Sequence, residues 1–143
     1  MATDRRAEVV WQGDLMNGSG TIGSTTSGAL GPLDVSWASR AEEPGGKTSP
    51  EELIAAAHAS CFSMALSSGL AKAGTPPERL ETAATVTFQP GEGITSSVLT
   101  VRGTVPGIGA DAFRAAAEEA TTNCPVSKAL AGTDVRLESA ELA

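Results

Sequence analysis

Hydrophobic and polar positions along the chain alternate in two different periods, and the switch between them outlines the fold. Residues 6–11 (RAEVVW) and 19–26 (SGTIGSTT) read as strands, separated by a turn rich in Gly, Asp and Asn. Residues 33–40 also alternate: Leu33, Val35 and Trp37 share one face, and Asp34, Ser36, Ala38 and Arg40 the other. This predicts a third strand running into the polar loop AEEPGGKTS. Ser49-Pro50-Glu51-Glu52 then announces a helix, with an N-cap serine, proline in the first helical position and acidic residues in the first turn. The helix is expected to continue to Gly74, with Pro76 and Pro77 beyond. Its apolar residues, among them Leu53, Ile54, Ala57, Met64 and Leu66, spread around most of the circumference, which predicts a buried helix.

Alternation returns at 81–89 and 94–105, a hairpin about Pro90–Gly93. A second helix spans 110–122, with Phe113, Ala116, Ala117 and Ala120 at helical spacing. Asn123 is read as the cap of a short third helix that opens with Cys124-Pro125, and 134–142 close as a strand. The order of elements indicates an α+β domain covering residues 1–143, with largely antiparallel sheets.

Composition narrows the function classes. The chain has 143 residues, a net charge of −7 and no basic stripe, which argues against nucleic acid and against an anionic membrane surface. The apolar run near 53–66 is broken by His58, Ser60 and Ser63 and reads as too short for a bilayer span. The N-terminal residues lack an apolar signal region, so a cytoplasmic, reducing location is expected. With 3% aromatic residues the core must be built from small side chains, which favours burial of helical faces in a dimer.

Two cysteines in a reducing compartment are either inert small hydrophobes or partners in a redox cycle. Cys61, taken alone, reads as a small core residue. His58, Ser60 and Ser63, however, make its surroundings more polar than a core helix needs, and Cys124 sits where a helix N-terminus favours thiolate. A peroxide-reducing thiolate needs a nearby cation, for which arginine's planar fork is suited, and an acid to hold that cation. Arg40 is the best-placed candidate; Arg5 and Arg6 are terminal, and Arg79, Arg102, Arg114 and Arg136 read as solvated. His58, three residues before Cys61, leaves a Cys-His hydrolase open, although a packed helix histidine is the simpler reading. Phe62, Met64 and Phe113 read as core.

SPEELIAAAHASCFSMALS (49–67) and NCPVSKAL (123–130), together with WASRAEEPGGKTSPEEL (37–53), VVWQGDLMNGSGTI (9–22) and VPGI (105–108), resemble the OsmC/Ohr family of bacterial peroxidases. The resemblance covers nearly the whole chain. It implies antiparallel sheets wrapped around a long buried central helix in an intertwined homodimer. It also implies Cys61 as peroxidatic and Cys124 as resolving cysteine, Glu51 as the catalytic acid, and Arg40 as the arginine of the OsmC branch. The Ohr branch carries an arginine in the early turn, where this chain has Asn17-Gly18-Ser19. The implied substrate is an organic hydroperoxide and the implied reductant a dithiol of lipoyl type, with no metal and no organic cofactor. A non-catalytic binding protein of the same fold stays open as the alternative. Glu51 and Cys61 stand ten residues apart, roughly 15 Å along one helix, so a site using both is expected to form across a dimer interface.

Overall fold

The computed structural model describes residues 1–143. Its elements are β1 (Ala7–Gln12), β2 (Ser19–Thr25), β3 (Leu33–Val35), α1 (Trp37–Ala41), α2 (Pro50–Lys72), β4 (Arg79–Gln89), β5 (Gly93–Thr104), α3 (Ala110–Asn123), α4 (Pro125–Ala129) and β6 (Asp134–Leu142). The chain divides into two compact units, Met1–Leu53 and Ile54–Ala143, with the boundary falling inside α2.

The first unit is an antiparallel sheet in the order β1-β2-β3, followed by α1 and the first turn of α2. The third strand is much shorter than the alternation predicts. Ser36 accepts a hydrogen bond from Ser39 N–H at 3.1 Å, while Ser39 Oγ receives Ser36 N–H at 2.9 Å. This reciprocal cap starts a helix at Trp37, so Trp37 and Arg40 lie on α1 rather than on a strand. The unit buries few side chains, chiefly Ile22, Ser39, Thr48 and Glu51. Every residue of β1 is exposed, including Val9, Val10 and Trp11.

The second unit is a sheet in the order β4-β5-β6 with α3, α4 and most of α2. The β4–β5 hairpin is antiparallel as expected, but β6 runs parallel to β5, because it reaches the sheet after the α3–α4 crossover rather than through a hairpin. Phe62, Leu66 and Leu70 of α2 pack into one core with Leu99, Val101 and Val105 from β5 and its end, and with Phe113, Ala117 and Ala120 of α3. Spacing of four residues puts the α2 members in one stripe.

That stripe is all of α2 that the second unit buries, apart from His58. The helix expected to be buried on most sides is open elsewhere, and Met64, read as core, is 72% exposed. Apolar composition shows that a face seeks cover, not that its own chain supplies it. The 23-residue helix is also long and apolar enough to cross a membrane by length and composition, beyond the shorter span read from the sequence. Its buried stripe within the second unit is that of a core helix.

The helix ends behave largely as read. Ser49 Oγ accepts from Glu52 N–H at 3.1 Å, but the Glu52 carboxylate turns to the Thr48 hydroxyl at 2.8 Å, so only half of a capping box forms. At the other end Gly74 adopts φ 90°, and the N–H groups of Gly74 and Thr75 return to Ala71 and Leu70. The cap of α4 is Cys124 itself, not Asn123, which remains the last residue of α3.

One polar group closes the core. His58 is fully buried, with Nδ1 2.6 Å from Ser97 Oγ on β5 and Nε2 2.8 Å from Ser127 Oγ on α4. Burial holds its pKa below the ordinary 6.5, so the ring is neutral. The unfolded chain then binds a proton that the folded one refuses, and the contribution is complete above the unfolded value and lost as pH falls below it. Denaturant midpoints should accordingly fall as pH is lowered beneath about 6.5, and the fall should be shallower in His58→Gln; equal slopes in the two chains count against this. A second expectation concerns Gly103, where a Cβ would stand 2.7 Å from Phe113 Cζ and 3.2 Å from Leu80 Cδ2. Gly103→Ala should cost about 1–3 kcal/mol in urea unfolding, and an unchanged midpoint would show that Phe113 can shift.

Candidate functional site

The four residues singled out from the sequence fall into two pairs, one in each unit. Arg40 lies in the last turn of α1 and Glu51 in the first turn of α2, joined by the polar loop 42–49. Arg40 Nε approaches Glu51 Oε1 at 3.0 Å and Oε2 at 3.2 Å, and Nη2 approaches Oε2 at 3.0 Å. Both carboxylate oxygens are therefore engaged by the planar guanidinium, the geometry in which arginine exceeds lysine. Glu51 has 8% of its side-chain surface exposed and Arg40 31%. A carboxylate so deeply placed needs its partner, since removing the arginine would strand a buried charge. Arg40 also borders a cavity of about 200 Å³ in the first unit, with Trp11, Leu15, Val35, Trp37 and Pro50 among its walls. That lining is mostly apolar, with the guanidinium and Ser36 as its polar members.

The other arginines behave as surface groups. Arg79 pairs with Glu81, Arg114 with Glu118 and Arg136 with Asp134, all well exposed. Such pairs contribute little.

In the second unit Cys61 and Cys124 are free thiols in hydrogen-bond contact. Cys124 is fully buried among the core residues, and Cys61 is half-buried at its edge. Their acidities diverge. Burial pushes the Cys61 thiol up, and the neighbouring Cys124 pushes it further, with only the Val126 backbone N–H acting the other way. Burial also acts to raise Cys124, but hydrogen bonds from the Cys61 thiol, from the backbone and hydroxyl of Ser127, and from the Val126 backbone outweigh it. Cys124 is thereby held below the usual cysteine value. The helix-start position of Cys124 read from the sequence has the expected effect. A thiolate at Cys61, by contrast, requires a cation that the groups acting on it in this unit do not supply.

His58 makes no dyad with Cys61. Both ring nitrogens are taken by serine hydroxyls, which leaves none to accept the thiol proton. Ser97 and Ser127 are the polar residues that sequence reading passed over; they stand 39 and 69 positions from His58, and no local pattern marks them. No three His, Cys, Asp or Glu side chains come together as a metal site would require.

Comparison with known proteins places the chain in a family. The sequence model of OsmC-like proteins matches residues 43–138. Peroxiredoxin OsmC of Escherichia coli (strain K12) is 41% identical over 133 residues, covering 91% of this chain and 92% of the relative, and the Shigella flexneri protein of the same name matches equally. Among solved structures, the organic hydroperoxide resistance protein OhrB of Bacillus subtilis has a TM-score of 0.66 at 26% identity, covering 94% of this chain and 97% of that one. An OsmC-like protein from Mycoplasma pneumoniae shares the fold, with a TM-score of 0.72 at 13% identity over the full length of both chains. The chain belongs to the OsmC-like family, and the curated relatives carry the name of the branch that Asn17-Gly18-Ser19 suggests.

Proposed function

We propose that the chain is a thiol peroxidase that reduces organic hydroperoxides to alcohols, with Cys61 as peroxidatic and Cys124 as resolving cysteine. The observation that carries this reading is the contact between a half-buried and a fully buried thiol, the only two cysteines of the chain. The names of the relatives, peroxiredoxin and organic hydroperoxide resistance protein, support the same chemistry. The Cys61 thiolate attacks the distal peroxide oxygen; the O–O bond breaks and the departing alkoxide takes a proton to leave as alcohol. Cys61 is then a sulfenic acid. The Cys124 thiolate attacks the Cys61 sulfur, an S–S bond forms, the S–O bond breaks, and hydroxide leaves as water. A dithiol of lipoyl type, oxidised in turn to its disulfide, restores both thiols. The proposed setting is the cytoplasm, where such thiols are kept reduced between turnovers.

The proposed working form is an intertwined homodimer. Glu51 and Cys61 are separated by ten residues of one continuous helix, roughly 15 Å, and Cys61 needs a cation. An antiparallel second copy would bring its Arg40–Glu51 pair to this chain's Cys61. It would also cover the open faces of α2 and β1, which carry Met64, Val9, Val10 and Trp11. The cavity beside Arg40 would then admit the alkyl part of the substrate. A Cys-His hydrolase is disfavoured by the occupied His58 nitrogens, and a mere binding protein gives the Cys61–Cys124 contact no purpose.

Stopped-flow consumption of cumene hydroperoxide with a dithiol reductant should vanish in Cys61→Ser; persistence of the wild-type rate would sink the proposal. Cys124→Ser should retain the first turnover and lose steady cycling, with sulfenic acid trapped at Cys61 by dimedone. Glu51→Ala should lower kcat/KM on the order of 100-fold, the scale of losing one electrostatic component of a site. Mixed dimers of Cys61→Ser and Glu51→Ala chains should recover activity, because one of their two sites is intact when Cys61 and Glu51 come from different copies. No recovery would return both residues to the same chain.

A further inference from the structure

The peroxidase scheme leaves the buried His58 without a task. Its ring links Ser97 on β5 to Ser127 on α4, at 2.6 and 2.8 Å. Ser127 stands three residues after Cys124 in the first turn of α4, which Cys124 caps, and it favours the Cys124 thiolate. The four groups form one line, Ser97, His58, Ser127, Cys124, and all four are buried.

Counting protons fixes the direction of this line. A neutral imidazole donates from one nitrogen and accepts at the other, and each serine hydroxyl has a single proton to give. If Nδ1 carried the proton, Ser97 would accept it, and the buried Ser97 hydroxyl proton would have no acceptor, because His58 is the partner that the structure gives it. A buried donor left unpaired costs about 1–3 kcal/mol. Ser127 would meanwhile spend its proton on Nε2 and have none for Cys124. With the proton on Nε2 both faults disappear. Ser97 donates to Nδ1, Nε2–H donates to Ser127, and the Ser127 proton is free for the sulfur.

We propose that His58 is a positioning residue for Cys124: its Nε2–H donates to Ser127 Oγ and thereby aims the Ser127 proton at the resolving sulfur. The His58 contacts and the place of Ser127 on α4 are geometric, while their purpose rests on the peroxidase reading. The line then serves two steps. In resolution it keeps Cys124 as the attacking thiolate. In reduction a dithiol bonds to the more exposed Cys61 sulfur, the S–S bond breaks, and its electron pair goes to Cys124, which departs as a thiolate that Ser127 already solvates. A better-stabilised leaving thiolate leaves faster.

The test isolates Cys124 in a Cys61→Ser chain and follows thiolate ultraviolet absorbance against pH. Adding Ser127→Ala or His58→Phe should move the Cys124 midpoint upward. Adding His58→Gln, whose amide N–H can still donate to Ser127, should leave it near that of the Cys61→Ser chain. An unmoved midpoint in Ser127→Ala overturns the proposal. So does a His58→Gln shift as large as that of His58→Phe or Ser127→Ala, which would put the effect down to packing. If His58→Phe fails to fold by circular dichroism, the contrast between Ser127→Ala and His58→Gln decides. No peroxide enters this titration, so its outcome is separate from that of the Cys61→Ser turnover measurement.

Discussion

The contact between Cys61 and Cys124 depends on the register between α2 and the α3–α4 corner, and the core of the second unit sets that register. Phe62, adjacent to Cys61, is fully buried with Phe113 and Leu99, and Ala120 stands one helical turn before Cys124. Ala117 and Ala120 matter through their smallness, because they line the same core as Phe62 and Leu66 without filling it. Aliphatic and aromatic packing thus fixes two sulfurs that differ in exposure, and the polar His58 line ties α2, β5 and α4 together. In a core with few aromatic residues, a buried hydrogen-bonded ring supplies directional restraint that alanines cannot.

The Arg40–Glu51 pair follows a different logic. It is local, formed across one loop between two helix ends, and each end is specified nearby: Ser36 and Ser39 cap α1, and Ser49 and Pro50 open α2. A pair built this way is preorganised within its own unit. The guanidinium is oriented by two carboxylate oxygens, so little of its side-chain freedom is left.

Elements with strong punctuation were legible in the sequence, and contacts between distant residues were not. Pro50 and Gly74 mark the ends of α2 closely because each is tied to a specific backbone requirement. Leu33, Val35 and Trp37 mimic a longer strand, since three apolar residues at alternate positions fit a strand as well as a helix entry; the Ser36–Ser39 pair was the signal that distinguishes them. Met64 is exposed although apolar, because apolar character alone does not say which face its own unit covers. The four candidate site residues came from arginine elimination and family motifs. Ser97 and Ser127 are ordinary serines until the fold sets them against His58, and the parallel course of β6 follows from a crossover that strand alternation does not encode.

The bare β1 strand has a consequence for what the chain meets as it is made. It lies at the edge of its sheet, with one row of backbone N–H and C=O groups unpaired and with Val9, Val10 and Trp11 open to water. Such an edge will accept whatever extended segment arrives first. A newly made chain is therefore open to promiscuous strand addition. That association is second order, so it gains when many unfinished chains crowd together and fades on dilution.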